Sequence, residues 1–241
     1  MAAMTFKSAL LEKIVRSADT TSYRFSRPPE YTFKAGQWYT ITLTTSGGPI
    51  DHHFSHADSP TESFVELTTR LTGSEFKNAL DSLSLGAEVE IQGPYGSFLF
   101  GYDLRKIAFL TGGIGVTPVR SMLKFLFDTG AAGRRPDQKL VVFYGSMTED
   151  GIVYKDEFDQ FERTLSDMRV VHAITNPTES WKGHGGFITA DTVRAELPDP
   201  GDWTYYIVGP PPMITAMRKV MEQLEIPKAQ TVIESFEGYV S

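Results

Sequence analysis

Around GYDLR at 101–105 the apolar periodicity of the chain changes, and the change restricts it to folds built from two unlike halves. From residue 5 to about 101 the apolar residues alternate in short runs. YTITLT at 39–44, FVELTTR at 64–70 and EVEIQG at 88–93 read as strands separated by clusters of Gly, Pro and Ser. Alternation turns one face to a core and the other to water, as in a small antiparallel barrel. One helix is predicted in this half, SEFKNALDSL at 74–83, whose Phe76, Ala79, Leu80 and Leu83 share a face. From about 105 nearly continuous apolar runs take turns with helical periods. KIAFLTG precedes PVRSMLKFLFD, KLVVFYG precedes KDEFDQFERTL, MRVVHAIT precedes the segment around ADTVRAEL, WTYYIVG precedes PPMITAMRKVMEQL, and TVIES comes last. Strands apolar on both faces and alternating with helices predict a parallel sheet covered on both sides. The expected fold is two-domain: an antiparallel β-barrel over 1–103, then an α/β parallel-sheet domain over 104–241.

Composition removes several functions. With 16 Phe, 10 Tyr and 3 Trp in 241 residues there is bulk for two cores, and a net charge of −7 opposes non-specific binding to nucleic acid. No cysteine is present, so disulfides, thiolate metal sites, a cysteine nucleophile and a cysteine-held iron–sulfur cluster in this chain are excluded. Apolar runs such as LVVFY at 140–144 fall far short of the roughly 18 residues of a membrane helix, so no membrane span is expected. MAAMTFKSALLEKIV lacks an uninterrupted signal-peptide core, and a cytoplasmic protein is the default expectation. The oligomeric state stays open.

Three of the five histidines lie in DHHFSHADSP at 51–60. On a strand His52, Phe54 and His56 point one way while His53 and Ser55 point the other, so the histidines do not converge and no metal site is expected. The simplest place for His53 and His56 is the barrel surface.

The first strand of the second half runs into TGGIGVTP. Gly112, Gly113 and Gly115 allow a tight turn and close backbone approach, Thr117 suits an N-cap and Pro118 the first helical position. Free backbone N–H groups at such a turn, with the helix dipole, attract a phosphate. A glycine-rich turn with no ligand is the simpler alternative. A second turn of this kind, Gly209-Pro210-Pro211-Pro212-Met213, follows WTYYIV, and both belong at the carboxyl edge of a parallel sheet, where ligands bind.

Taken in order, FKAGQW at 33–38, HHFS at 52–55, TRLTGSEFKNAL at 69–80, GPYGSF at 93–98, TGGIGVTP, VGPPPM at 208–213 and ESFEGY at 234–239 resemble the ferredoxin–NADP reductase family. That resemblance implies a flavin-binding barrel followed by an NAD(P)-binding α/β domain. It implies FAD rather than FMN as cofactor and NADH or NADPH as co-substrate. Hydride would pass to flavin N5, and electrons then to an external acceptor: ferredoxin, flavodoxin, an oxygenase component or a small acceptor. By position the flavin would be held by His52, His53, Phe54, Ser55, Thr69, Arg70, Phe76, Lys77 and Phe236, and the nucleotide by Gly112, Gly113, Gly115, Thr117, Gly209, Pro210 and Met213. Ser55 beside N5 and Glu234, facing it across the nicotinamide pocket, would be catalytic.

Departures from the family pattern matter. His52 stands where the family has a phosphate-binding arginine, Phe54 where it has a tyrosine, and Val208 where it has a cysteine. An imidazole is a weaker phosphate partner than a guanidinium, and Lys77 is either a compensating cation or a solvated lysine. Ser146 and Thr148 in GSMTEDG lie beside Glu149 and Asp150, whose carboxylates disfavour the extra phosphate of NADPH; Arg134 and Arg135 precede that strand and belong to the opposite sheet edge. These features favour NADH. The rival reading is a binding or regulatory subunit that keeps the fold with weakened or lost flavin binding.

Overall fold

The structure, a computed structural model, describes residues 3–236; Met1, Ala2 and residues 237–241, which carry the Gly238 and Tyr239 end of ESFEGY, lie outside the described residues. The chain divides into two compact units, one holding the residues up to Phe100 together with Thr117–Asp128, the other Gly101–Val116 and the residues from Thr129 on.

The first unit is a curled six-stranded antiparallel sheet of order β4-β3-β6-β1-β2-β5. Its strands are β1 (Met4–Ser17), β2 (Thr20–Ser26), β3 (Trp38–Thr45), β4 (Gly48–Ser55), β5 (Phe64–Arg70) and β6 (Glu88–Tyr95). The predicted strands are there. β1, β2 and β4 carry weaker alternation and add to them. β1 is long because it serves two partners: Met4–Ala9 pairs with β6, and Leu10–Ser17 pairs with β2 through two register shifts. Such irregularities bend a strand and close a sheet around its core. Among the described residues β4 and β5 are the two edges of the ladder, and β4 pairs with β3 alone. Inward residues such as Tyr23, Phe25, Tyr39, Ile41, Leu67 and Ile91 fill the interior. The predicted helix appears as α1 (Glu75–Ser82), capped by the Ser74 side chain, with Phe76 and Leu80 buried.

Helix α2 (Val116–Asp128) packs within this same unit from Thr117 onward. Arg120, 1% exposed, donates from Nη1 to Ala57 O at 2.8 Å and grips both Glu62 oxygens at 2.5 and 3.1 Å. Ser121 Oγ donates to Asp58 O at 2.5 Å. Removing one partner of a buried ion pair leaves the other charge uncompensated, at about 3–5 kcal/mol. Arg120→Met is therefore expected to lower the unfolding free energy by about 3 kcal/mol in a denaturant titration. A loss below about 1 kcal/mol would show the pair to be dispensable.

The second unit is a six-stranded sheet of order β10-β9-β8-β7-β11-β12, parallel throughout. Its strands are β7 (Lys106–Gly112), β8 (Lys139–Ser146), β9 (Met168–Ile174), β10 (His184–Gly185), β11 (Thr204–Gly209) and β12 (Thr231–Ser235). β7, β8 and β11 are buried along almost their whole length, the signature of a sheet covered on both faces. Ala108, Leu110, Phe143 and Ile207 pack with residues of α4 (Ala190–Glu196) and α5 (Pro211–Gln223). On the other face Tyr144 meets Phe158 of α3 (Lys155–Thr164), with ring centroids 6.0 Å apart.

One capping expectation is corrected. A 3-10 turn, Gly113–Gly115, leads straight into α2, which begins at Val116. Thr117 is thus inside the helix and buried, and Pro118 lies two residues past the first helical position. The glycines continue the helical path instead of ending in an extended cap, while Pro118 still falls in the first turn, where N–H groups lack intrahelical partners.

Candidate functional site

In the first unit the residues of HHFS go to separate surroundings. His52 lies edge-on to Phe54, with centroids 5.2 Å apart, and tilted against Phe76 at 5.3 Å. Phe54 and Phe76 are 5.8 Å apart, which makes a three-ring shelf between β4 and α1. His53 is exposed; its Nδ1 is 2.9 Å from Thr40 Oγ1 and its ring lies edge-on to Trp38. Ser55, the last residue of β4, is buried opposite Trp38. His56 corrects the sequence reading. It is a wholly buried residue with its ring stacked on Phe33 at 3.6 Å, not a barrel-surface one. Its partners Tyr31 and Asp58 supply the polar contacts that make this burial tolerable.

Beside the shelf three basic groups gather. Lys77 is 4% exposed, which removes the solvated alternative of the two the sequence left for it, and its Nζ donates to Thr72 Oγ1 at 3.2 Å. Burial, and then the Arg70 guanidinium, pushes the Lys77 ammonium below its ordinary range. Burial, and then Lys77, likewise holds His52 below the usual imidazole value. Arg70 is exposed and paired with Asp19 at 2.9 Å, while Thr69 is buried. Mutually repelling cations next to an aromatic shelf and the first turn of α1 fit a group that is flat at one end and anionic at the other. A flavin with its diphosphate has that chemistry.

His52 gives this fit a pH signature. With its pKa lowered it is neutral at pH 7, and a bound diphosphate favours its charged form. Affinity for FAD is therefore expected to rise as pH falls from 8 toward 5.5, and the rise is expected to vanish in His52→Gln. Titrations followed by flavin fluorescence check it; the same pH slope in both proteins would sever His52 from the phosphates.

In the second unit the predicted glycine turns meet. β7 and β11 are neighbours, so their carboxyl ends lie side by side. A Cβ on Gly115 would lie 2.6 Å from Val208 O and 3.0 Å from Gly209 Cα, so the backbones of the two turns touch there. Met213 closes the same corner, since a Cβ on Gly112 would be 3.0 Å from its Sδ and one on Gly209 2.7 Å. Gly113 opens the 3-10 turn and accepts from the Tyr144 hydroxyl at 3.4 Å, and Pro210 N-caps α5. Thr111 Oγ1 is buried at this corner with no hydrogen-bond partner among the described residues, and Ser146 Oγ is in the same condition at the end of β8. Orphaned hydroxyls beside a bare backbone cradle fit a ribose–diphosphate ligand. Glu234 lies on β12 directly opposite Val208, half-buried, and Phe236 N donates to Gly209 O at 3.1 Å. The ends of β11 and β12 thus bring Val208, Glu234 and Phe236 close to the cradle.

Glu149 follows β8 and is fixed in place: its Oε1 accepts from Thr178 N at 3.1 Å and from Thr178 Oγ1 at 2.5 Å. Arg134 and Arg135 are engaged before β8, Arg134 with Gln138 and Ser166 O, Arg135 with Asp137. Sequence reasoning did not single out Thr111, Arg120 or Asp58. The first two sit inside TGGIGVTPVR, but their roles depend on partners that no local pattern marks.

Comparison with known proteins gives the family of both halves. Residues 7–100 match the family model described as an oxidoreductase FAD-binding domain, and residues 109–219 that of an oxidoreductase NAD-binding domain. The chain is 30% identical over 233 residues to an NADH-cytochrome b5 reductase 1 of Ajellomyces capsulatus, covering 92% of this chain and 75% of that one. It is 27% identical to one of Mortierella alpina, over 94% of this chain and 77% of the relative. Among solved structures, the cytochrome b5 reductase domain of Ulva prolifera nitrate reductase shares the fold with a TM-score of 0.80 at 22% identity, covering 96% and 97% of the two chains. A ferredoxin NADP+ reductase from Neisseria gonorrhoeae with bound FAD and NADP gives 0.82 at 16% identity, covering 96% and 98%. The chain belongs to the ferredoxin–NADP reductase-like family of NAD(P)H-dependent flavin oxidoreductases, with an FAD-binding half followed by an NAD-binding half.

Proposed function

We propose that the protein takes hydride from NADH in preference to NADPH, using residues 1–103 as the flavin half and 104–241 as the nucleotide half, and delivers electrons to a separate acceptor. Bound FAD supplies a two-electron hydride acceptor that can release its electrons singly. The chain supplies binding and orientation. Lys77 and Arg70 hold the diphosphate by charge, with His52 joining when protonated, while Phe54 and Phe76 offer apolar surface to the ring. Ser55 offers a hydroxyl at the end of β4, and Glu234, beside the nucleotide cradle, orients the nicotinamide amide with Phe236 as the removable ring. The backbone N–H groups of the Gly113–Gly115 turn receive the nucleotide diphosphate, and Gly209 lets the β11–α5 turn, whose three prolines have no N–H to donate, come close beside them.

The observation that carries the choice of donor is Glu149. A carboxylate pinned by Thr178 just beyond β8 accepts from a ribose hydroxyl and repels a phosphate in its place. The names of the curated relatives add support for NADH and favour a cytochrome b5 as the acceptor. The test is an anaerobic absorbance record of FAD-loaded protein mixed with NADH or NADPH. Bleaching at least ~10-fold faster with NADH is the expected result, since the discrimination amounts to about 1.4 kcal/mol or more. Equal rates, or a faster NADPH reaction, would overturn the donor. Failure to retain FAD would overturn the enzyme reading in favour of a binding subunit.

Ser55→Ala is expected to slow flavin reduction by about 10-fold, the loss of one hydrogen bond of about 1.4 kcal/mol in the transition state. Stopped-flow reduction at the wild-type rate would remove Ser55 from the chemistry.

A further inference from the structure

β4 is an edge strand that, among the described residues, pairs with β3 alone, and Ser55 is its last residue. At the end of an edge strand, the path of the residues after Ser55 helps to set where its hydroxyl stands. Those residues belong to a buried polar chain. His56 and Asp58 are both 0% exposed. Asp58 Oδ1 accepts from Glu66 N at 2.8 Å, which makes it an acceptor, so His56 Nδ1–H donates to it at 2.9 Å. His56 Nε2 is then the acceptor for the Tyr31 hydroxyl at 3.0 Å. The backbone is tied as firmly: His56 N donates to Gln37 O at 2.9 Å, Ala57 N to Glu66 O at 3.0 Å, and Ser121 Oγ to Asp58 O at 2.5 Å. An apolar residue at 56 would pack against Phe33 and Tyr39 equally well but would fix neither ring orientation nor chain direction. A buried carboxylate is expensive to maintain, and the use best attested for such groups is to specify one arrangement over its neighbours.

We propose that the buried Tyr31–His56–Asp58 chain is the positioning device for Ser55, holding the end of edge strand β4 so that the Ser55 hydroxyl is placed for hydride transfer. This rests on the reading that Ser55 acts at the flavin. None of the three residues is asked to touch flavin or nucleotide; a shift of about 1 Å at the reacting centre is enough to cost up to 100-fold in rate.

The test is a double-mutant cycle on FAD-loaded protein, reading the single-turnover rate of flavin reduction at saturating NADH together with the dissociation constants for FAD and NADH. Asp58→Asn keeps the shape and replaces the carboxyl group by an amide. It is expected to slow reduction by about 10-fold with both dissociation constants within about 2-fold of wild type, and to cause no further loss in a Ser55→Ala background. Tyr31→Phe, the milder change, is expected to slow it by about 3-fold with the same non-additivity, and it stands in if the Asp58 variant does not fold. A residue that merely supports the fold would lower thermal stability without this split between rate and binding. Full additivity with Ser55→Ala, or an unchanged rate in both variants, overturns the positioning role alone. A wild-type rate in Ser55→Ala itself overturns the reading of Ser55 and the positioning role with it.

Discussion

Gly115→Ala raises the KM for NADH by about 100-fold while leaving the FAD content of the protein unchanged: that is the expected result of the close backbone approach at the glycine turn of the nucleotide half. The alanine methyl would meet Val208 O at 2.6 Å, Thr111 Oγ1 at 2.9 Å and Gly209 Cα at 3.0 Å. Two of those three atoms are backbone, so no rotamer change relieves the clash. Either the Gly113–Gly115 turn or the end of β11 must move, and the first of these carries the N–H groups assigned above to the nucleotide diphosphate. Overpacking of this kind costs about 1–3 kcal/mol, and a backbone clash belongs at the upper end, which converts to about two powers of ten in affinity. Steady-state kinetics with circular dichroism as a folding control check it. A folded variant with a KM within about 3-fold of wild type would mean that the cradle does not hold the nucleotide.

That glycine illustrates what local sequence carries. TGGIGVTP announces a tight strand-to-helix turn because only glycine permits it, and the change in periodicity near GYDLR separates the antiparallel half from the parallel one. Both depend on residues within a few positions of one another. The fate of His56 does not. Alternation along β4 puts it on the same side as His52 and Phe54, but it is buried because Tyr31 and Phe33, more than 20 residues upstream, meet it there. Arg120 reads as one more polar residue on an amphipathic helix until Glu62 and the Ala57 carbonyl are brought to it. The N-cap assigned to Thr117 missed because a 3-10 turn and an α-helix continue into one another without a change in residue preference. Lys77 is the sharpest case: its position in the sequence allowed a solvated side chain or a ligand-binding cation, and burial removes the first.

Lys77 therefore separates a cation kept for the fold from one kept for a ligand. It lies on α1 with its pKa lowered by burial and then by Arg70, and it in turn depresses His52. In protein without FAD the charge on Lys77 is thus held at some expense, and a diphosphate placed among these groups would relieve it. Lys77→Met keeps the stem's bulk and removes the charge, so two effects of opposite sign are expected. The FAD dissociation constant rises about 30-fold, the equivalent of about 2 kcal/mol for one charge-assisted phosphate contact. Stability of the FAD-free protein holds or increases, because a desolvated ammonium beside the Arg70 guanidinium is gone. Fluorescence titration gives the first and thermal unfolding without FAD the second. A lysine that serves the fold would reverse both, leaving FAD affinity intact and lowering the melting temperature. Only a ligand-directed cation weakens binding while its loss relaxes the empty protein, and that pairing would mark Lys77 as a compensating cation for the arginine replaced by His52.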